Sequence, residues 1–187
     1  MRLYALCDFQ LLESYKISLD EFLDIAKSHN AEIIQYRDKI STISFIKSQL
    51  IYLRKNFDGF LIVNDRYELV EFCDGVHMGQ EDLKKIDPAP SRAVKILRET
   101  IGGDKIIGIS THNEDEVLEA NNMDINYIGL GAYRSTSTKQ DISTVLGDRL
   151  DEIAKLSQHS VGAIGGVKFS DKFKHVTYHV IGSGLLK

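Results

Sequence analysis

Eight short apolar runs, enriched in β-branched residues and separated by longer amphipathic stretches, restrict this chain more than any other feature. They fall at residues 3–7, 32–36, 59–63, 75–77, 106–110, 127–131, 161–164 and 178–182. Strand-length runs alternating with helical patterns indicate βα units and a parallel sheet. The helical stretches carry their own signals. Ser18 and Glu21 form a capping box ahead of Leu19, Phe22, Leu23 and Ala26, and Ile43, Ile46, Leu50 and Leu53 make a second stripe. Asn113 with Glu116 caps a third, a fourth spans 91–99 after Pro88 and Pro90, and Leu146, Leu150, Ile153, Ala154 and Ser157 mark a late one. Eight strands with helical crossovers predict an α/β fold, a compact (β/α)8 TIM barrel forming one domain over 1–187. A doubly wound open sheet is the alternative, but no Gly-x-Gly-x-x-Gly opens a helix. At 187 residues the barrel is shorter than the usual ~250, so elements must be trimmed. Only eleven residues, 167–177, separate Gly166 from the last strand, and little chain follows it. Shortened or missing last helices are therefore expected. An uncovered apolar wall there leads us to expect a homodimer in which a partner subunit covers it.

Composition narrows the function classes. A net charge of -4 with scattered basic residues argues against nucleic acid or an anionic membrane as partner. No run approaches the roughly 20 apolar residues of a membrane span, and the N-terminus does not read as a signal peptide, so a soluble cytoplasmic protein is expected. Cys7 and Cys73 lack metal spacing and read as buried thiols.

Barrel active sites lie where strands end and βα loops begin. Strand one ends in Asp8. Strand two gives Gln35, Arg37 and Lys39, spaced by two and so able to share the inward face. Strand three gives Asn64 and Asp65; strand four gives His77, Gln80, Glu81 and Asp82; strand five gives Ser110 and His112. Strand six is followed by Ser135, Thr136, Ser137, Thr138 and Lys139; strands seven and eight end in Gly165-Gly166 and Gly182-Ser183-Gly184. Singly, each reads as a turn, a solvated pair or a structural histidine. Their shared position at one end of consecutive strands favours an anion site. Arg37, Lys39 and Lys139 can converge on a multiply charged anion, Asp65 and Asp82 can share Mg²⁺ bridging to phosphate, and the glycines let backbone N–H groups approach a second phosphate. His29, His159, His175 and His179 read as surface or core residues, and Glu13, Glu68 and Glu71 as solvated helix faces.

The segments Gln35-Tyr-Arg-Asp-Lys39, Val63-Asn-Asp-Arg66, Gly75-Val-His-Met-Gly-Gln-Glu-Asp-Leu83, Gly108-Ile-Ser-Thr-His112, Tyr127-Ile-Gly-Leu-Gly131, Thr136-Ser-Thr-Lys139 and Ala163-Ile-Gly-Gly-Val167 resemble, in order, the thiamine phosphate synthase family of the synthase/TenI superfamily. The resemblance implies a transferase that condenses 4-amino-2-methyl-5-(diphosphooxymethyl)pyrimidine with thiazole phosphate, releasing pyrophosphate. It implies that the pyrimidine diphosphate lies along Gln35, Arg37, Lys39, Asn64, His77, Ser110 and Lys139, with Arg37, Lys39, Ser110 and Lys139 serving catalysis. It assigns Mg²⁺ to Asp65 and Asp82, and the thiazole phosphate to Thr136, Ser137, Thr138, Gly166, Gly182 and Ser183. Where the family usually has a proline before Thr-x-Thr-Lys, this chain has Arg134-Ser135, so a more flexible loop is expected, with Tyr133 to Ser135 a solvated turn. Two alternatives stay open: a TenI-like thiazole tautomerase with His112 as general acid/base, and a non-catalytic protein that binds a thiamine precursor.

Overall fold

The computed structural model describes residues 2–135 and 145–187. Eight parallel strands close in sequence order, β1 (Arg2–Asp8), β2 (Ile33–Arg37), β3 (Phe60–Asn64), β4 (Gly75–Met78), β5 (Ile106–Thr111), β6 (Tyr127–Leu130), β7 (Ser160–Ala163) and β8 (Tyr178–Ile181), with β8 pairing back onto β1. The α/β barrel read from the sequence is the observed fold. Strands buried on both faces explain why the runs are apolar throughout rather than alternating. One set of side chains, Tyr4, Ile33, Ile62, Tyr127 and Val180, fills the barrel. The other set packs outward against the helices, as with Leu3, Ala5 and Cys7 of β1.

The helices are α1 (Phe9–Tyr15), α2 (Leu19–Ser28), α3 (Ile43–Asn56), α4 (Gln80–Ile86), α5 (Pro90–Ile101), α6 (Glu114–Ala120) and α7 (Arg149–Ala154). The capping box at α2 is present in both halves, and it buries Phe22, Leu23 and Ala26. Asn113 caps α6 through the Glu116 amide. Two helices depart from the sequence expectation. Asp8 caps α1, its Oδ1 accepting from the Leu11 amide at 3.0 Å. The residues Gln80, Glu81 and Asp82 form the first turn of α4 rather than a loop. In α4, acids in the first turn and Lys84 and Lys85 in the last complement the helix dipole. After β3 the chain makes only a 3₁₀ segment, Tyr67–Phe72.

Between β7 and β8, residues 164–177 contain no helix, as their number implied. The wall is nevertheless covered from within. Asp151 of α7 accepts from the amides of Lys174 (3.0 Å) and His175 (2.9 Å). At the other edge Phe169 stacks on His29, beyond α2, with ring centroids 4.6 Å apart. The segment thus straps the barrel from α7 across to α2. Beneath it Phe173 meets His179 edge-on at 5.2 Å. The outward residues Val161, Ala163, His179 and Ile181 are 2%, 0%, 5% and 1% exposed. The short β7–β8 connection thus covers its side of the wall in cis. Cys7 and Cys73 are buried free thiols, as read, and burial pushes Cys73 up to about 11.

Candidate active site

The polar residues gather at the C-terminal ends of the strands. The segment after β2 is held by a buried acid that sequence reasoning passed over. Asp38 accepts from Gln10 Nε2 of α1 (2.8 Å), from the Ile40 and Ser41 amides (3.1 and 3.0 Å) and from the Tyr36 hydroxyl (3.3 Å). Burial opposes its charge, but these donors outweigh it and hold the carboxyl below its ordinary value. An Asp whose neighbours are both basic gave the only hint of this internal role. Arg37 sits at the end of β2, and its Nη1 donates to Asp8 Oδ2. Lys39 lies past the strand end, so it does not extend the inward-facing series of Gln35 and Arg37 as expected. It reaches the site from the loop, and its half-exposed Nζ is 3.8 Å from Asp65 Oδ2.

Asp65 adopts a left-handed backbone, φ 60°, a conformation that aspartate tolerates better than most residues. The turn aims its Oδ1 at the Gly79 amide, 3.0 Å away, while Asn64 Nδ2 donates to Oδ2 at 2.6 Å. Asp82, in the first turn of α4, faces the same point. A Cβ built on Gly79 would lie 3.5 Å from Asp82 Oδ2 and 3.7 Å from Asp65 Oδ1. Burial first, then the neighbouring Asp82 charge, push the Asp65 carboxyl above its ordinary value. Burial also opposes ionisation of Asp82, but Lys85, at 2.6 Å, holds it below. The two carboxylates thus differ in environment: Asp65 is the more buried, and Lys85 and Lys39 stand beside the pair. A cleft of about 350 Å³ opens onto it, lined by Lys39, Asn64, Asp65, Arg66, Met78 and Asp82. Among the described residues no three His, Cys, Asp or Glu cluster as a metal cage. Two carboxylates would suit Mg²⁺, which is commonly held by one or two carboxylates together with substrate phosphate.

A chain of polar groups runs from inside the barrel to this end. Gln35 Nε2 donates to the Tyr4 hydroxyl (2.6 Å), which meets the Tyr127 hydroxyl (2.8 Å); Tyr127 meets His77 Nδ1 (3.0 Å), and His77 Nε2 meets Ser110 Oγ (3.0 Å). Gln80 Nε2 then donates to the Ser110 carbonyl at 2.6 Å. Burial pushes both tyrosines well above the ordinary phenol value, so they stay neutral donors. Sequence reasoning found Gln35, His77 and Ser110 but missed Tyr4 and Tyr127, which read as ordinary strand residues. The available signal was glycine: a Cβ at Gly108 would sit 2.1 Å from Tyr127 Cζ, and one at Gly129 would sit 3.0 Å from His77 Cε1.

At the far rim, Gly165 and Gly166 both take positive φ, 86° and 67°. There the β6 and β7 ends pair beyond the strands, Tyr133 N donating to Ile164 O and Arg134 N to Gly165 O, each at 2.8 Å. Arg134 Nη1 and Nη2 grip Asp171 at 2.6 and 2.8 Å, and Nη1 also donates to Gly166 O. Tyr133 packs edge-on against Phe173 at 5.0 Å. Tyr133 and Arg134 are therefore tied to the strap, not part of a solvated turn, and the arginine anchors a position where proline is usual in the family. Gly182 follows β8, and Ser183 begins a 3₁₀ turn, Ser183–Leu185. Thr136, Ser137, Thr138 and Lys139 lie outside the described residues. His112 is bound to α6, with both its amide (2.8 Å) and Nδ1 (3.0 Å) on Glu116 Oε2.

Comparison with known proteins places this arrangement. The thiamine-phosphate synthase of Persephonella marina is 35% identical over 172 residues, 89% of this chain and 77% of the relative. That of Clostridium acetobutylicum is 33% identical over 191 residues, covering 99% of this chain and 85% of the relative. A solved thiamine phosphate pyrophosphorylase from Pyrococcus furiosus shares the fold with a TM-score of 0.78 at 24% identity, over 99% of this chain and 87% of that one. The sequence pattern of the thiamine monophosphate synthase family matches residues 3–180, nearly the whole barrel, and the chain belongs to that family.

Proposed function

We propose that the chain, acting as one domain in the cytoplasm, is a transferase that joins the aminopyrimidine diphosphate to thiazole phosphate, giving thiamine phosphate and pyrophosphate. The observation that carries this reading is the coincidence of a carboxylate pair, Asp65 and Asp82, with Arg37 and Lys39 at one rim of the barrel of a synthase-family chain. Such a site suits a diphosphate leaving group. Asp65 and Asp82 would hold Mg²⁺, which when bound neutralises charge on that group.

The chain's own residues then have separable tasks. Arg37 uses one N–H on Asp8, which leaves further donors of its guanidinium for phosphate oxygens. Lys39 is exposed enough to swing from Asp65 onto the same anion. As the pyrimidine C–O bond ionises, these cations and Lys139 take up the charge that grows on the departing pyrophosphate. Gln35, Asn64 and Ser110 orient the pyrimidine diphosphate. Thr136, Ser137, Thr138 and the backbone at Gly166, Gly182 and Ser183 hold the thiazole phosphate so that the ring nitrogen can capture the pyrimidine carbocation. Proximity then replaces an encounter in solution, and no protein nucleophile is required. The tautomerase alternative needs no Mg²⁺, so the facing carboxylates of Asp65 and Asp82 argue against it. Mass-spectrometric detection of thiamine phosphate from the two substrates supports the reading; its absence with both substrates and Mg²⁺ present overturns it.

A further inference from the structure

The buried polar chain has a direction. An amide nitrogen can only donate, so Gln35 Nε2 makes the Tyr4 oxygen an acceptor. Among the described residues the Tyr127 oxygen is the acceptor in reach of the buried Tyr4 hydrogen, so satisfying Tyr4 directs that hydrogen to Tyr127, and Tyr127 in turn gives its own to His77 Nδ1. With Nδ1 an acceptor, the ring's hydrogen is on Nε2, which donates to Ser110 Oγ. The Ser110 hydroxyl, already accepting, has its hydrogen left to give.

We infer that His77 is a positioning residue: Tyr4 and Tyr127 fix it as the Nε2–H tautomer, and it turns the Ser110 hydroxyl into a dedicated donor to an anionic oxygen of the substrate. The chain is built into the barrel rather than incidental. Gly108 and Gly129 leave the space that the Tyr127 and His77 rings occupy, and Tyr4 and Tyr127 are 1% and 4% exposed, so water cannot substitute for a link. His77 therefore acts through Ser110 and is not itself the group that grips the diphosphate. What Ser110 meets rests on the synthase reading; the direction of the chain does not.

Nitrogen-15 NMR of the histidine-labelled protein reads the tautomer directly, with no substrate. The expected result is Nε2–H at His77 in the wild type and loss of that single tautomer in Tyr127→Phe. An Nδ1–H ring in the wild type, or an unchanged spectrum in the variant, overturns the inference even if the enzyme is active. In steady-state assays His77→Leu lowers kcat about three- to tenfold, the scale of one lost hydrogen bond. His77→Gln, whose amide N–H can stand where Nε2–H stood, recovers most of it, with both variants checked for folding by circular dichroism. Equal loss in the leucine and glutamine variants shows a packing role and overturns the assignment. An inactive wild type with the Nε2–H tautomer refutes the synthase reading alone.

Discussion

Gly108→Ala tests whether the barrel interior is built around Tyr127. The added methyl would lie 2.1 Å from Tyr127 Cζ, 2.3 Å from Cε1 and 2.5 Å from the hydroxyl oxygen. Ordinary contact needs at least 3.4 Å, so the ring must move by more than 1 Å. It cannot do so freely, because its hydroxyl is held by Tyr4 at 2.8 Å and His77 at 3.0 Å. Overpacking a closed interior costs about 1–3 kcal/mol, and losing two buried hydrogen bonds adds about 1 kcal/mol each. The variant is thus destabilised by roughly 3–5 kcal/mol, which in a chain of this size lowers the melting midpoint by roughly 6–20 °C. Thermal and urea unfolding followed by circular dichroism measure it. Gly103→Ala, where no atom lies within 4 Å of the new methyl, is the control and shifts stability by less than about 0.5 kcal/mol. Shortening the clashing ring in Gly108→Ala/Tyr127→Leu leaves a non-additive recovery of at least about 1 kcal/mol. A wild-type midpoint for Gly108→Ala, or strict additivity in the double variant, refutes the packing argument.

Lys39→Ala lowers kcat/KM for the diphosphate about 10–100-fold, the range for one charge-assisted hydrogen bond, and leaves thiazole phosphate affinity unchanged by calorimetry; equal effects on both ligands contradict its placement. The raised Asp65 carboxyl makes the metal-free folded chain bind more protons than the unfolded one above the ordinary value of 3.8. Its contribution to stability is full below that value and is lost as pH rises through the shifted one; Asp65→Asn removes this dependence in urea titrations across pH. Mg²⁺ affinity rises over the same interval with proton release, seen as a buffer-dependent binding heat that Asp65→Asn and Asp82→Asn abolish. Asp171→Ala frees Arg134 and speeds amide exchange several-fold across residues 164–177 while β1 to β4 stay protected; uniform exchange shows that the strap is not anchored there.

The barrel was legible because each strand is buried on both faces and so leaves an apolar run, and because Ser18 and Asn113 cap helices by local rules. Two helices were hidden for opposite reasons. Asp8 looks like a strand-end acid and serves also as a cap, while α4 begins with the very residues, Gln80 to Asp82, that read as site groups. Side-chain direction in β2 follows from the pleat and put Arg37 at the rim, whereas Asp65 is aimed by a left-handed turn and Asp82 by the first turn of α4. The pleat did not reveal that Arg37 is paired with Asp8, because that partner is 29 residues away. The Tyr4–Tyr127 pair was invisible for the same reason, its partners lying across the barrel, while Asp38 is held mostly by its own loop, through Tyr36, Ile40 and Ser41, with Gln10 the distant donor. Arg134 shows the limit of reading by family pattern, for it replaces a rigid residue with a salt bridge to Asp171 that only the folded strap supplies.

Pyrophosphate release with the pyrimidine diphosphate and thiazole phosphate together, with each alone, and with Mg²⁺ replaced by EDTA tests the central claim most directly. The account predicts release only in the complete mixture with Mg²⁺, matched mole for mole by thiamine phosphate. Thiazole phosphate binding without any release, or turnover that is indifferent to EDTA, would contradict it.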